Sequence, residues 1–212
     1  VAPNMPPDAP VNAIILLEGA DRVLPTYPPD LSDKARRQLE RLGVEVRTGA
    51  LVTRIDDESV RVGDETIVAG NVYWAAGVAA SPIAASLGAP LDRSGRVIVG
   101  SDGSVPGHSE VFVIGDLARI EQDGQPLPGV AQVAIQSGRH AARMIRSDLA
   151  RTPRAPFRYF FWGNLATIGR AAAVADFGRV RFGGYFAWLV WVFVHILKLI
   201  GFRNRILVMV QW

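Results

Sequence analysis

The sequence predicts an α/β chain ending in an amphipathic helix, and three observations carry that prediction. A continuous apolar run, Asn12-Ala13-Ile14-Ile15-Leu16-Leu17, closes in Glu18-Gly19, and a second, Glu110-Val111-Phe112-Val113-Ile114, closes in Gly115-Asp116. After Asp176 there is no acidic residue, while Arg179, Arg181, Lys198, Arg203 and Arg205 add five positive charges to an apolar, Trp-bearing tail. Runs like the first two fit strands buried on both faces, as in a parallel sheet. A purely cationic, aromatic tail suits an anionic membrane surface.

In chain order, Asp30 or Ser32 can cap a helix over about 32–42, with Leu31, Ala35, Leu39 and Leu42 on one face and Gly43 as its stop. Val44-Glu45-Val46 then completes a β-α-β unit. Residues 51–73 read as antiparallel strands with a Gly63-Asp64 turn between Ser59–Val62 and Glu65–Val68. Asn71-Val72-Tyr73-Trp74 reads as a buried strand running into the small-residue turn Ala75-Ala76-Gly77-Val78. A looser stretch leads to the second acidic strand end, and Gly129 precedes a helix over about 130–149. The Pro/Arg linker 151–156 separates that helix from a β-rich stretch, 158–182, and the tail helix over 185–202.

Composition narrows the chemistry. The net charge of +3 is smaller than the tail's contribution, so the rest of the 212-residue chain is slightly acidic and no nucleic-acid partner is expected. With no cysteine there is no disulfide, thiolate nucleophile or Cys-based metal site, and His108, His140 and His195 lack metal-ligand spacing. The chain opens on Val1-Ala2-Pro3 without Met and stops inside an apolar run, so a fragment of a longer protein, one large domain or parts of two, is expected.

Four constellations carry chemistry. Glu18, at a strand end, can accept hydrogen bonds from ribose hydroxyls and repel a 2′-phosphate, which favours NADH; a solvated loop glutamate is the competing reading, and Arg22 keeps NADPH open. Ala76-Gly77 lets a flat ring approach the backbone, or is a plain packing turn. Gly115-Asp116 offers a carboxylate to ribityl hydroxyls, and a helix starting near Ala131 turns N–H groups and a positive dipole end toward the electron-rich edge of a flavin. Gln132 and Gln136, one turn apart, could orient a carbonyl ligand or be solvated helix glutamines.

Glu110–Asp116, the Ala131-Gln132-x-Ala-x-Gln136 run, Gly163-Asn164-Leu165-Ala166 and Gly201-Phe202-Arg203-Asn204-Arg205 together resemble type II NADH dehydrogenases, the non-pumping NADH:quinone oxidoreductases. The resemblance implies two Rossmann-like dinucleotide-binding domains, both incomplete here, plus a membrane-anchoring helix. Residues 1–78 would belong to the NADH-binding domain, 79–182 to the FAD-binding domain and 183–212 to the anchor. It assigns Glu18, Ala76 and Gly77 to NADH, Gly115, Asp116, Ala131 and Gln132 to FAD, and Gln132 with Gln136 to quinone. Where the family often has Asp-Lys before that Gly, with the Lys near the flavin, this sequence has Phe161-Trp162. It also implies a peripheral enzyme on the cytoplasmic side of a bacterial-type inner membrane, and leaves a homodimer open. A flavin reductase of the same architecture and a membrane-surface nucleotide-binding protein without turnover are the alternatives.

For the tail, Trp188, Trp191, His195 and Lys198 fall on one helical stripe, expected to be the face that lies in the bilayer boundary, with Arg203 and Arg205 beside it. An in-plane helix is favoured over a span or a buried helix.

Overall fold

A computed structural model describes residues 13–199 and 201–211. These fall into two compact units, one made of the residues up to Trp74 together with those from Gly163 onward, the other of Ala75–Trp162. Strands within 163–182 therefore group with the amino-terminal unit in the structure, while the resemblance assigns them with 79–162 to one domain.

The first unit opens with β1 (Ile14–Glu18), α1 (Pro29–Arg41) and β2 (Val44–Thr48). β1 and β2 pair in parallel, Leu16 opposite Val46, giving the expected β-α-β unit. Asn12 lies outside the described residues. β1 is less buried than a continuous apolar run suggests: Ile14 and Leu16 are exposed. In the described residues its sheet has two strands, so β1 has a single neighbour. The start of α1 also differs. Pro28 is the cap residue and Pro29 follows, so φ is pre-set and one of the free helix-end donors is removed. Asp30 sits in the first turn, favourably to the dipole, and the buried Ser32 donates its hydroxyl to the Leu24 carbonyl at 3.2 Å. Gly43, at φ +83°, ends the helix where a side chain would be strained.

β3 (Val52–Ile55), β4 (Ser59–Val62) and β5 (Glu65–Val68) form an antiparallel meander, and Val62 pairs Glu65 across the Gly63-Asp64 turn as the sequence predicts. Residues 71–74 are not a strand. Tyr73 and Trp74 stand exposed, with no strand partner in the described residues to bury them.

The second unit contains β6 (Val97–Ile98), β7 (Ser104–Val105), β8 (His108–Phe112), β9 (Ala118–Arg119), β10 (Glu121–Gln122), β11 (Gln125–Pro126) and α2 (Ala131–Leu149). β8 forms a hairpin with β7 rather than a buried parallel strand; it ends at Phe112, and its first three residues are exposed. Val97, Val105, Val113, Ala118, Ile120, Val133 and Phe157 build the core. The linker is fastened by one residue. Arg154 donates to Asp102 at 2.9 Å, to both Asp148 oxygens and to the Ser109 carbonyl at 2.7 Å, and its guanidinium lies over the Phe112 ring.

Back in the first unit, β12 (Asn164–Gly169), β13 (Ala172–Asp176) and β14 (Arg181–Gly183) form an antiparallel sheet, followed by α3 (Tyr185–Lys198) and α4 (Phe202–Gln211). β13 alternates. Val174 packs with Leu31, Ala35 and Val46 around α1, while Ala173 and Ala175 meet Ala187 of α3. The unit is thus layered: parallel pair, α1, three-stranded sheet, α3. Gly163, at φ +110°, leads into the sheet; a Cβ there would overlap the Phe177 ring and come within 2.9 Å of the Asp176 carbonyl oxygen.

The helix expected over 185–202 stops at Lys198. Leu199 takes an extended conformation, and Gly201 is at φ +87°. Ile200 lies outside the described residues. At 14 residues α3 is about 21 Å long, short of a ~30 Å hydrocarbon layer. No helix of the described residues is long and apolar enough to cross a membrane.

Burial works against ionisation of Asp102, but hydrogen bonds from Arg154 and Ser104 outweigh it and hold the carboxyl below the ordinary range. A depressed carboxylate stabilises the fold above its unfolded pKa of ~4, and that stability is lost as pH falls through the lower folded value. Arg154→Met should therefore melt earlier than wild type at neutral pH, with the difference in melting temperature shrinking below pH ~4. A melting difference that stays constant with pH would show that packing on Phe112, not charge, carries the residue's effect.

Candidate functional site

The amino end of α2 organises the candidate site in the second unit. Gly115 and Asp116 form a tight turn docked on the first turns of that helix: the Gly115 N–H donates to the Ser137 hydroxyl at 3.2 Å, and Ser137 donates to the Ala134 carbonyl at 3.1 Å. Gly115 is at φ +64°, and a Cβ there would stand 3.3 Å from the Ala134 Cβ. Both observations favour glycine. Asp116 is exposed, its carboxylate beside Gly129, where a Cβ would lie 3.6 Å from Oδ1. No side chain caps α2, whose first residues are Ala131 and Gln132. A carboxylate acceptor beside a helix amino end is a donor-acceptor set that fits a group presenting hydroxyls and ring carbonyls, as FAD does.

Gln132 and Gln136, which the resemblance assigns to quinone, both turn their amides to the segment 159–162. Gln136 donates from Nε2 to the Phe160 carbonyl and accepts from the Phe160 N–H at Oε1, both at 2.9 Å. Gln132 Oε1 accepts from the Tyr159 hydroxyl at 3.3 Å and the Trp162 N–H at 3.2 Å. A third glutamine, which the sequence reading missed, repeats the pattern. Gln122 Oε1 accepts from the Tyr159 N–H at 2.8 Å, and its Nε2 donates to the Tyr159 carbonyl at 3.4 Å. Residues 159–162 are in no strand, yet these amides take up their main-chain groups. Phe160, Phe161 and Trp162 are left 68 %, 42 % and 50 % exposed. Burial raises the pKa of the Tyr159 phenol, which stays a neutral donor. Gln122 could have been suspected only from its place in the Gln122-Asp123-Gly124-Gln125 hairpin, since nothing local marks its long-range partner.

In the first unit, Glu18 stands half-exposed at the end of β1, and its Oε1 accepts from the Ala20 N–H at 2.9 Å. The second carboxylate oxygen is engaged in no hydrogen bond of that turn. Arg22, which kept a 2′-phosphate open, is occupied by Asp21 at 3.2 Å and by the Pro25 carbonyl at 3.1 Å. Ala76 and Gly77 belong to the second unit; Gly77 is exposed at φ +108°, so backbone conformation rather than lack of room demands glycine.

The tail also departs from expectation. Trp188 turns toward the sheet, packed against Ala173, Ala175 and Ala187. Trp191 stacks on His195 at 4.2 Å, and His195 Nδ1 lies 2.7 Å from the Trp191 carbonyl, which can only accept, so Nδ1 carries the proton. The apolar exposed stripe of α3 is Phe186, Leu189, Phe193 and Leu197, because β13 claims the Ala187/Trp188 side, while His195 of the expected face is exposed as well. Lys198 and Arg203 are exposed, and Arg205 donates from Nε to the Leu199 carbonyl at 2.9 Å, closing the end of α3.

Residues 10–138 match the pyridine nucleotide-disulphide oxidoreductase family, and residues 161–212 match the NDH2 C-terminal domain. Two Mycobacterium tuberculosis proteins, the type II NADH:quinone oxidoreductases NdhA and Ndh, are 43% and 41% identical over 94% of this chain, which covers 44% and 45% of them. The chain thus spans about half the length of the curated relatives it matches. Among solved structures, Plasmodium falciparum NDH2 in complex with NADH superposes with a TM-score of 0.80 at 17% identity, over 92% of this chain and 56% of that one, a likeness of fold. A FAD-dependent pyridine nucleotide-disulphide oxidoreductase from Desulfovibrio vulgaris gives 0.61 at 26% identity, over 76% of this chain and 41% of that one. With a family match across most of its length and an NDH2 C-terminal domain following it, the chain belongs to the pyridine nucleotide-disulphide oxidoreductases, in their type II NADH dehydrogenase branch.

Proposed function

We propose that the protein takes part in flavin-dependent transfer of electrons from NADH to a membrane quinone, without proton pumping. The observation that carries this reading is the junction of the two matches, 10–138 and 161–212, in a chain 43% identical to a type II NADH:quinone oxidoreductase. FAD, when bound, supplies the two-electron relay between NADH and quinone. The chain's own part is to bind and orient. Asp116 would accept ribityl hydroxyls, the amino end of α2 at Ala131 and Gln132 would face the pyrimidine edge, and Gly115 keeps that turn close to the helix. Glu18 would hold the NADH ribose with its second oxygen while the first stays in its turn with Ala20, and Ala76-Gly77 would leave room for the nicotinamide side. Quinone would be met on the Gln132/Gln136 side. The division at 78 and 182 into NADH-binding, FAD-binding and anchoring parts belongs to the same proposal, as does assembly as a homodimer.

Association with a membrane would run through α3. Its exposed Phe186, Leu189, Phe193 and Leu197 supply the apolar stripe, and Lys198, Arg203 and Arg205 the cations, on the cytoplasmic side of a bacterial-type membrane. This assignment replaces the Trp188/Trp191/His195 stripe, whose Trp188 is spoken for by the sheet.

The flavin-loaded enzyme should oxidise NADH with stoichiometric reduction of a lipid-soluble quinone; flavin binding without quinone reduction would remove the reading. Gln136→Ala should raise the quinone Michaelis constant with flavin content unchanged, and loss of flavin would make Gln136 a cofactor residue. Replacing Phe186, Phe193 and Leu197 together by Ser should release the protein from anionic liposomes in a flotation assay. Unchanged flotation would place the membrane contact elsewhere.

A further inference from the structure

Among the described residues the segment Tyr159–Trp162 has no strand beside it, yet the main-chain N–H and carbonyl of two successive residues are each met by one side-chain amide. The pairing is what a neighbouring strand would give. Gln122 serves Tyr159 and Gln136 serves Phe160, while Gln132 takes the Trp162 N–H and the Tyr159 hydroxyl. Successive peptide groups of an extended chain point to opposite sides, so one amide alone could not serve both residues. The two glutamines come from different elements, β10 and α2, and so fix the segment against both.

We propose that Gln122 and Gln136 are positioning residues, which hold the backbone of Tyr159 and Phe160 in a two-sided amide clamp and thereby set the place of Trp162. The inference rests on the quinone reading for its functional consequence, but its geometry does not. Under it, Gln136 influences quinone through Phe160–Trp162, and Gln122, an unassigned residue of β10, does so equally.

Gln136→Glu separates a clamp from a direct contact. A protonated carboxyl reproduces both bonds, its O–H donating to the Phe160 carbonyl and its C=O accepting from the Phe160 N–H. Ionised, it turns an acceptor on that carbonyl, so ionisation is disfavoured and its pKa is raised above the ordinary ~4.3. Below that pKa the clamp holds, and above it the segment is released. Nearby, the raised Tyr159 phenol stays protonated and Arg158 is paired with Asp123, while buried His140 lies against Phe157. The wild-type trace, which carries any His140 contribution, is therefore the baseline.

The flavin-loaded enzyme is labelled with 5-fluorotryptophan, and the Trp162 resonance is assigned with Trp162→Phe. In Gln136→Glu that resonance should follow one titration, with a midpoint above ~4.3, meeting the wild-type position at its acid end. Gln122→Ala should move the same resonance and raise the quinone Michaelis constant about threefold to tenfold, with kcat/KM for NADH unchanged. A Trp162 resonance that neither Gln122→Ala nor Gln136→Glu moves overturns the proposal, as does an unchanged quinone Michaelis constant in Gln122→Ala. A wild-type enzyme that reduces no quinone would sink the functional reading alone, because the fluorine signal reports on the clamp regardless. If Gln122→Ala does not fold, the titration of Gln136→Glu decides.

Discussion

Strand β13 has no free side, and the first unit is built around that constraint. It is the middle strand of its sheet, it meets α1 through Val174, and it meets α3 through Ala173 and Ala175. The middle strand of a sheet with helices on both faces is apolar wherever it meets them, and the two faces here differ in size; the buried Asp176 at its end is bonded to the Gly178 N–H and Arg181. On the α1 side Val174 joins Leu31, Ala35 and Val46 in a conventional core. On the α3 side Ala173 and Ala175 meet Ala187, which is fully buried, with Leu165, Phe182 and Trp188 packed around them. The path of α3 follows from that fit, and so does the choice of which helical stripe stays outside.

The second unit answers a different requirement. Its last six residues cross from the Phe157 core contact to Gly163 without a sheet, and main-chain amides cannot remain unpaired where solvent is partly excluded. Long neutral side chains from two elements meet that need. They leave the aromatic side chains of 160–162 pointing out of a backbone that is nonetheless held. Arg154 plays the equivalent part at the other end of the linker, with charge in place of amide.

Much of the local structure was legible in the sequence. The β-α-β unit around Leu31, Ala35 and Leu39, the Gly63-Asp64 hairpin and the helix after Gly129 follow from periodicity and turn chemistry, which are local quantities. What escaped was non-local. The Trp188/Trp191/His195/Lys198 stripe is real as a helical face, but periodicity does not say which face a sheet will claim. The strand expected at 71–74 was read from hydrophobicity alone, and hydrophobicity without a pairing partner does not make a strand. Gln132 and Gln136 stand out as a pair by their spacing, yet spacing gives no sign that their amides are turned to a backbone more than twenty residues away. Gln122 left no local signature at all. The cap of α1 was misread for a simpler reason: two prolines made a side-chain cap unnecessary.

Carboxamides have a chemical lifetime that carboxylates and hydrocarbons lack. Hydrolytic deamidation of Gln122 or Gln136 would exchange the NH₂ that faces a main-chain carbonyl for an oxygen, turning attraction into repulsion at a single atom. The lesion would add less than one dalton of mass. It would register at an aromatic side chain that the damage never touches.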